Sequence, residues 1–510
     1  PIRESVCVLI SNMSKFYGSQ FASFLDQIVP SILKCLEQEE FSFAEEADED
    51  PENEDDGFKV NTGITIEKEI ASLALGDLAI GTGAAFAPYV ESVLKTLGEQ
   101  LEESYGMREA CVSALWNVAY AMFKAEKGEG YEAPKGVPAS SYVSPDVHAI
   151  IETVRDTTLS SLEEEFDLSM VACILDSISN AVNNMGAIAL VSGPQDTEKL
   201  ESLCIQLMLV LKKEHPCQAE DEEIQDDEDA SEAELFVFDT ALEVLVSLSL
   251  ALGGDFSKIF NSFKDVIVSN TSAKSKLKRV AATGALAEFV VGLKESIAPY
   301  YEEFLNIFIG RLNNDKSLEV RGNCVYGAGM VIEYAPVDLS GAYPQILQSV
   351  FALLSKTDRR AEQDDDELKD VINRSYANLC GCVARMALKH RASVPLEHVI
   401  EPLLGHMPFE TDLEENVPIF TLIASLYEED LPLITNHTQQ VVDMFARVFT
   451  KEKERVKLIE ELTVGREENL DKLKQFPTQE LQDKIVALLR HLDAKFNGAV
   501  AANPVLKEVL

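Results

Sequence analysis

"YGMREACVSALWNVAYAM", residues 105–122, decides the fold through the spacing of its apolar residues. At 100° per residue, Cys111, Leu115, Val118 and Met122 fall on one stripe, the pattern of a helix packed against a core. The only tryptophan of the chain, Trp116, lies on the opposite side of that wheel with Glu109, Ser113 and Tyr120, and Asn117 follows it. A solvated helix carries charges on its outer face. An aromatic and polar face there reads as a binding face.

The pattern recurs along the chain. "RGNCVYGAGMVIEYA" (321–335), "RVAATGALAEFV" (279–290) and "RESVCVLISNM" (3–13) open as "REACVSALWNVAYA" (108–121) does, with arginine before an amphipathic helix rich in small residues. Arg279 and Arg321 are 42 residues apart. Another helix precedes each: "FAPYVESVLKTLGEQL" (86–101) and "IAPYYEEFLNIFIGRL" (297–312) share A-P-Y, and "GAYPQILQSVFALL" (341–354) is a looser copy. Helix, turn, helix at a period of about 40 residues resembles a HEAT repeat, which cannot bury its apolar face alone and must stack on neighbours.

The expected fold is all-α, a right-handed α-solenoid in a single curved arch over 1–510, of about nine to ten repeats. Second helices are expected near 1–17, 66–82, 107–124, 167–186, 233–253, 274–294, 317–335, 366–390 and 412–428, with a less regular end beyond 450. No strand period competes. Acidic loops are expected at 40–60 around "EEADEDPENEDDG" (45–57) and at 217–234 around "AEDEEIQDDEDASEAE" (219–234), with a short acidic insertion at 359–367. "AEKGEGYEAPKGVPASSYVSP" (125–145), rich in Gly, Pro and Ser, reads as a flexible insertion.

Composition limits the function. With 44 Lys+Arg against 87 Asp+Glu, the formal charge of −43 disfavours direct binding of nucleic acid and favours basic partners. A hydrophobic content of 46% is too high for a disordered acidic chain. No apolar run approaches the roughly 18 residues of a membrane span, and no basic-then-apolar leader opens the chain. The nine cysteines sit mostly inside helical patterns and read as reduced, buried thiols of an intracellular protein. Pro1 in place of Met leaves room for a longer chain.

Reactive groups do not converge anywhere. H-E-x-x-H, G-x-x-x-x-G-K-[ST] and G-x-S-x-G are all missing, and His390, His406 and His437 stand alone. "GTGAAF" (81–86) and "GAGM" (327–330) follow no strand and read as close helix contacts. The Asp364–Glu367 cluster reads as a solvated loop, so no catalytic residue, metal or cofactor is assigned.

The aromatic-polar face is what remains. Aligning Arg108 with Arg321 places Tyr326 at the position of Ser113 and Glu333 at that of Tyr120; matching "VARMA" to "VIEYA" places Asn378 at the position of Tyr326. In "MVACILDSISNAVNNMG" (170–186), Asp176, Asn180 and Asn183 oppose Ile174, Ile178 and Val182, and "DLEENVPIF" (412–420) opens with Asp412, Glu414 and Glu415. Stacked, these faces form one wall. Asparagine can hold the backbone of an extended peptide, and rings with carboxylates can hold a lysine.

"ITIEKEIASLALGDLAIGTGAAFAPYVESVLKTLGEQLEESYGMREACVSALWNVAYAM" (64–122) and "PYYEEFLNIFIGRLNNDKSLEVRGNCVYGAGMVIEYAP" (299–336) resemble the C-terminal half of importin-β-family transport receptors (karyopherin-β), closest to the importin-4 branch. The resemblance runs over essentially the whole chain. It implies a receptor that carries basic cargo, histone tails and ribosomal proteins among it, from cytoplasm to nucleus, passes the pore on nucleoporins and releases cargo to Ran-GTP. It implies that the second helices line a concave cargo face, and a lysine pocket at Tyr326, Asn378, Glu414 and Glu415. The other reading is a HEAT scaffold or an acidic, histone-chaperone-like binder.

Overall fold

The structure, a computed structural model, describes residues 2–37, 63–128, 130–219, 232–361, 368–461, 470 and 472–510. The acidic runs of the sequence fall wholly or mostly outside these residues. The described elements are helices and turns, with a single isolated bridge between Gly193 and Asp196 in place of any strand. The chain divides into two compact units, Pro1–Val266 and Ile267–Leu510.

The helices come in pairs. In chain order they are α1 Ile2–Tyr17, α2 Leu25–Leu36, α3 Gly63–Thr82, α4 Val90–Glu99, α5 Tyr105–Lys127, α6 Pro145–Glu164, α7 Leu168–Met185, α8 Glu198–Lys212, α9 Glu232–Leu252, α10 Ser257–Asn270, α11 Lys276–Leu293, α12 Tyr301–Asn314, α13 Leu318–Tyr334, α14 Tyr343–Ala361, α15 Lys369–Lys389, α16 Leu396–His406 and α17 Asn416–Glu428, followed by Pro432–Thr435, Thr438–Glu461, Gln479–Lys495 and Pro504–Lys507. Within the first unit the second helices α1, α3, α5, α7 and α9 pack each on the next; within the second unit α11, α13, α15 and α17 do the same. That is the HEAT stack, and its second helices lie close to where the 42-residue register puts them. The last begins at Asn416 rather than 412, because 413–415 form a single tight turn.

Local chemistry sets the helix starts. Ser144, Asp167, Ser275 and Ser317 each stand just before a second or first helix and accept a hydrogen bond from a backbone N–H in its first turn. Glycines set how closely the stacked helices approach. A Cβ on Gly81 would stand 2.6 Å from the Ser14 carbonyl oxygen, and one on Gly327 would stand 2.4 Å from the Phe308 ring. Gly81, Gly327 and Gly329 of the G-x-G stretches therefore serve helix contact, while Gly83 (φ 56°) serves the turn that ends α3.

Burial corrects the wheel. Trp116 is only 5% exposed, and Val112, Ala119, Ala121 and Phe123 are buried with it. A second helix inside a stack touches its own partner helix and also the second helices before and after it, so three of its sides are covered. The open side of α5 is a narrow strip of Glu109, Ser113, Asn117 and Tyr120, one position away from Trp116. The same crowding explains why 63–99 and 232–270 are long and apolar enough to cross a membrane by composition, although neither holds an uninterrupted apolar run of that length. Half and 67% of their most apolar windows are buried inside the protein, as in core helices.

Residues 125–145 also differ from expectation. In place of a free insertion they form a strap. Its tyrosines Tyr131 and Tyr142 pack on Phe123, Lys127 lies over the Tyr142 ring, and Val143 is buried. Farther along, the Gly136 N–H donates to the Ala251 carbonyl (2.9 Å) and the Val137 N–H to the Asp255 carboxylate (3.1 Å), at the end of α9. Ala133 sits against Gly186 at the end of α7, where a Cβ would come within 2.7 Å. A run of Gly and Pro lacks side chains to pack but leaves the backbone free to bond.

Candidate cation-binding faces on the second helices

In the second unit the open strips of α11 and α13 meet the turn before α17. Tyr326 on α13 is half-buried and lies near the Glu288 carboxylate from α11. Burial first, then the negative charges of Glu414, Asp412 and Glu415, push the Glu288 carboxyl up to about 7. Four carboxylates from two distant stretches of sequence therefore converge beside one phenol ring. Glu414 and Asp412 are exposed; Asp412 adopts a left-handed backbone (φ 50°) and reaches Arg374 at 3.3 Å.

Arg385 closes the other side. Its guanidinium binds both oxygens of Glu415 (2.5 and 2.9 Å), takes Glu333 at 2.7 Å, and lies 5.8 Å from the centre of the Tyr326 ring. Glu415 is 2% exposed, and burial pushes its carboxyl above the ordinary range even with Arg385 against it. Asn378 is also buried, its amide donating to the Gly322 carbonyl at 3.2 Å. Gly381 makes this possible, since a Cβ there would stand 1.5 Å from a Glu415 oxygen.

The expected pocket of Tyr326, Asn378, Glu414 and Glu415 is therefore rearranged. Tyr326 and Glu414 face the opening, with Asp412 beside them. Asn378 and Glu415 are buried framework, and the chain's own Arg385 occupies the place that sequence reading leaves for a ligand cation. Glu333 serves Arg385. The register held a signal for this: Arg385 and Glu333 occupy equivalent positions in "VARMA" and "VIEYA", so stacking sets opposite charges side by side. Glu288 carried no such signal.

In the first unit, the structure leaves Asp176, Asn180 and Asn183 exposed along α7, with Asn180 donating to Asp176 at 3.0 Å. Tyr120 and Asn117 are half-buried, and Asn117 packs against Gly76 of α3. Trp116 is core and leaves the site. The sequence missed the acids that extend this face. Glu69 on α3 is raised by burial and then by Glu109 on α5; Glu243 on α9 is raised by burial, then by Asp239 and Asp176. Among the described residues, Glu69, Glu109, Asp176, Asp239 and Glu243 form no ion pair. A line of acids across α3, α5, α7 and α9 without its own cations can receive basic side chains.

No protein-family profile matches the chain. Among curated proteins it is similar over its whole length to the probable importin subunit beta-4 of Schizosaccharomyces pombe, 28% identical over 540 residues and covering 47% of that protein. The whole of the chain is matched in that comparison, so its similarity is to an importin from end to end. Importin-4 of Homo sapiens is 27% identical over 376 residues, covering 73% of this chain and 32% of its own length. The chain thus spans about half the length of the first of these relatives and less of the second. Among solved structures, the karyopherin Kap121p bound to the SUMO protease Ulp1p superposes on 98% of the chain with a TM-score of 0.68 at 16% identity. Kap121p bound to RanGTP does so with a TM-score of 0.65 at 14% identity. At such identities these likenesses establish the importin-type HEAT fold.

Proposed function

We propose that this chain belongs to the importin-β family and is a cargo-binding portion of a nuclear import receptor. It takes basic, extended segments such as histone tails and ribosomal-protein segments on its acidic second-helix faces. In the longer receptor, Ran-GTP releases the cargo, nucleoporins carry the complex through the pore, and the protein shuttles between cytoplasm and nucleus. The observation that carries this reading is the group Glu288, Asp412 and Glu414 around Tyr326, where carboxylates gather with a half-buried ring and the internal cation Arg385 is already committed to Glu415 and Glu333. A lysine stem packs on the free ring face while its ammonium meets Glu414 and Asp412. Asn180 and Asn183 supply backbone-directed amides on the first unit.

The test is calorimetric. A histone-tail peptide is titrated into the chain before and after acetylation of its lysines, and into an Asp412→Ala/Glu414→Ala variant. Acetylation removes the lysine charge, so each change alone weakens binding, and together they weaken it by much less than the product of the single effects. Full additivity, or equal affinity for both peptides, would sink the proposal. Glu415→Ala does not serve here, because Glu415 is buried under Arg385.

A further inference from the structure

We propose that the ends of α12 and α14, with the turn before α13, form a docking surface for a short acidic peptide segment of a partner protein. In a chain of formal charge −43, these ends gather Arg311, Lys316, Arg321, Lys356, Arg359 and Arg360. Hydrogen bonds tie two of them across this edge, and a third bond stays within α14. Arg321 Nε donates to the Leu312 carbonyl (2.7 Å), Lys356 Nζ to the Lys316 carbonyl (3.4 Å), and Arg359 Nε to the Ser355 carbonyl (3.0 Å). In each arginine the outer guanidinium nitrogens stay free of carboxylates among the described residues. The acids nearby are engaged elsewhere: Asp315 holds Arg279 (2.8 Å), Glu319 holds Lys276 (2.5 Å), and Asp358 accepts from Tyr376 (2.8 Å) and faces His406. Burial and then the charges of Arg321 and Arg360 pull the Lys356 ammonium below its ordinary value, against the opposing charge of Asp315, so these cations stand close together.

The shape of the charge selects the ligand. A nucleic acid carries its phosphates on past any small patch and meets the acidic remainder of the chain, whereas a short acidic peptide ends where the patch ends. Arginine forks suit carboxylates in pairs.

The experiment uses fluorescence anisotropy with a labelled hexaglutamate peptide and, as a competing probe, a single-stranded oligonucleotide of equal charge. The expected result is saturable peptide binding that weakens with added salt and falls by about tenfold or more in Lys356→Ala/Arg359→Ala/Arg360→Ala, from three lost charge contacts. Equal affinity for the oligonucleotide overturns the proposal, as does unchanged peptide affinity in the triple variant. The residues after Ala361 in sequence are themselves acidic. Peptide binding that emerges only in Asp364→Asn/Asp365→Asn/Asp366→Asn overturns it too, because the patch would then serve the chain's own run.

Discussion

A proton on Glu288 links the acidic pocket to pH. Its carboxyl stands at about 7 in the folded chain against an ordinary value of 4.5, so between those values the folded state binds more protons than the unfolded state. The stability that this proton contributes is complete below that window and is lost as pH rises through it. Glu288→Gln, which keeps the neutral shape, should therefore raise the thermal midpoint near pH 8 by more than it does near pH 5. A lysine bound beside Glu288 favours its ionised form, so peptide binding near pH 6.5 should release a proton, seen as a dependence of calorimetric enthalpy on buffer ionisation; the variant should show none. Equal enthalpies in all buffers for the unmodified chain would show that the ligand does not reach this carboxylate. None of this was legible in the sequence, where Glu288 is one glutamate among many. Its neighbours Asp412 and Glu414 lie in a repeat far along the chain. Tyr326 was legible, because its register position does not depend on what lies across from it.

Elements keep their charge in the same way, by pairing across the stack. Arg385 on α15 ties Glu333 of α13 to Glu415 before α17. Arg385→Met leaves Glu415 buried with no counter-ion, a loss of about 3–5 kcal/mol in chemical denaturation. Arg385→Met/Glu415→Leu, which removes both charges, should recover most of it; failure to recover would mean that the pair specifies the stack rather than merely neutralising itself. Gly327→Ala tests contact alone. With Phe308 in its way, the added methyl should cost about 1–3 kcal/mol. Helix positions were readable from the 3.6 period and the repeating arginine, since both depend on local spacing. The facing of each helix was less so: a wheel assumes one buried side, and a helix in the middle of a stack has three. That is why Trp116 read as a binding residue and is core.

At the scale of the molecule the acid excess acts through distance. Association with a basic peptide should slow steeply as salt rises, and deleting 45–57 or 220–231, which spares the start of α9, should slow it further at low salt while leaving the thermal midpoint nearly unchanged. An unchanged association rate after deletion would mean that those runs do not steer. Composition made this charge plain, whereas the strap at 128–144 was misread because Gly and Pro look the same in a free loop and in a tethered one. The tether has a mechanical consequence. In an ordinary stack each repeat holds only its neighbours, and a chain pulled from its ends peels in small, separate steps. The strap leaves α5, touches the end of α7 and bonds to the end of α9, so pulling on any one of these loads all three. In an optical trap the α5–α9 block should yield in one larger rupture, and Asp255→Ala with the strap replaced by a short Gly-Ser linker should break that event into the smaller steps expected of an untethered stack.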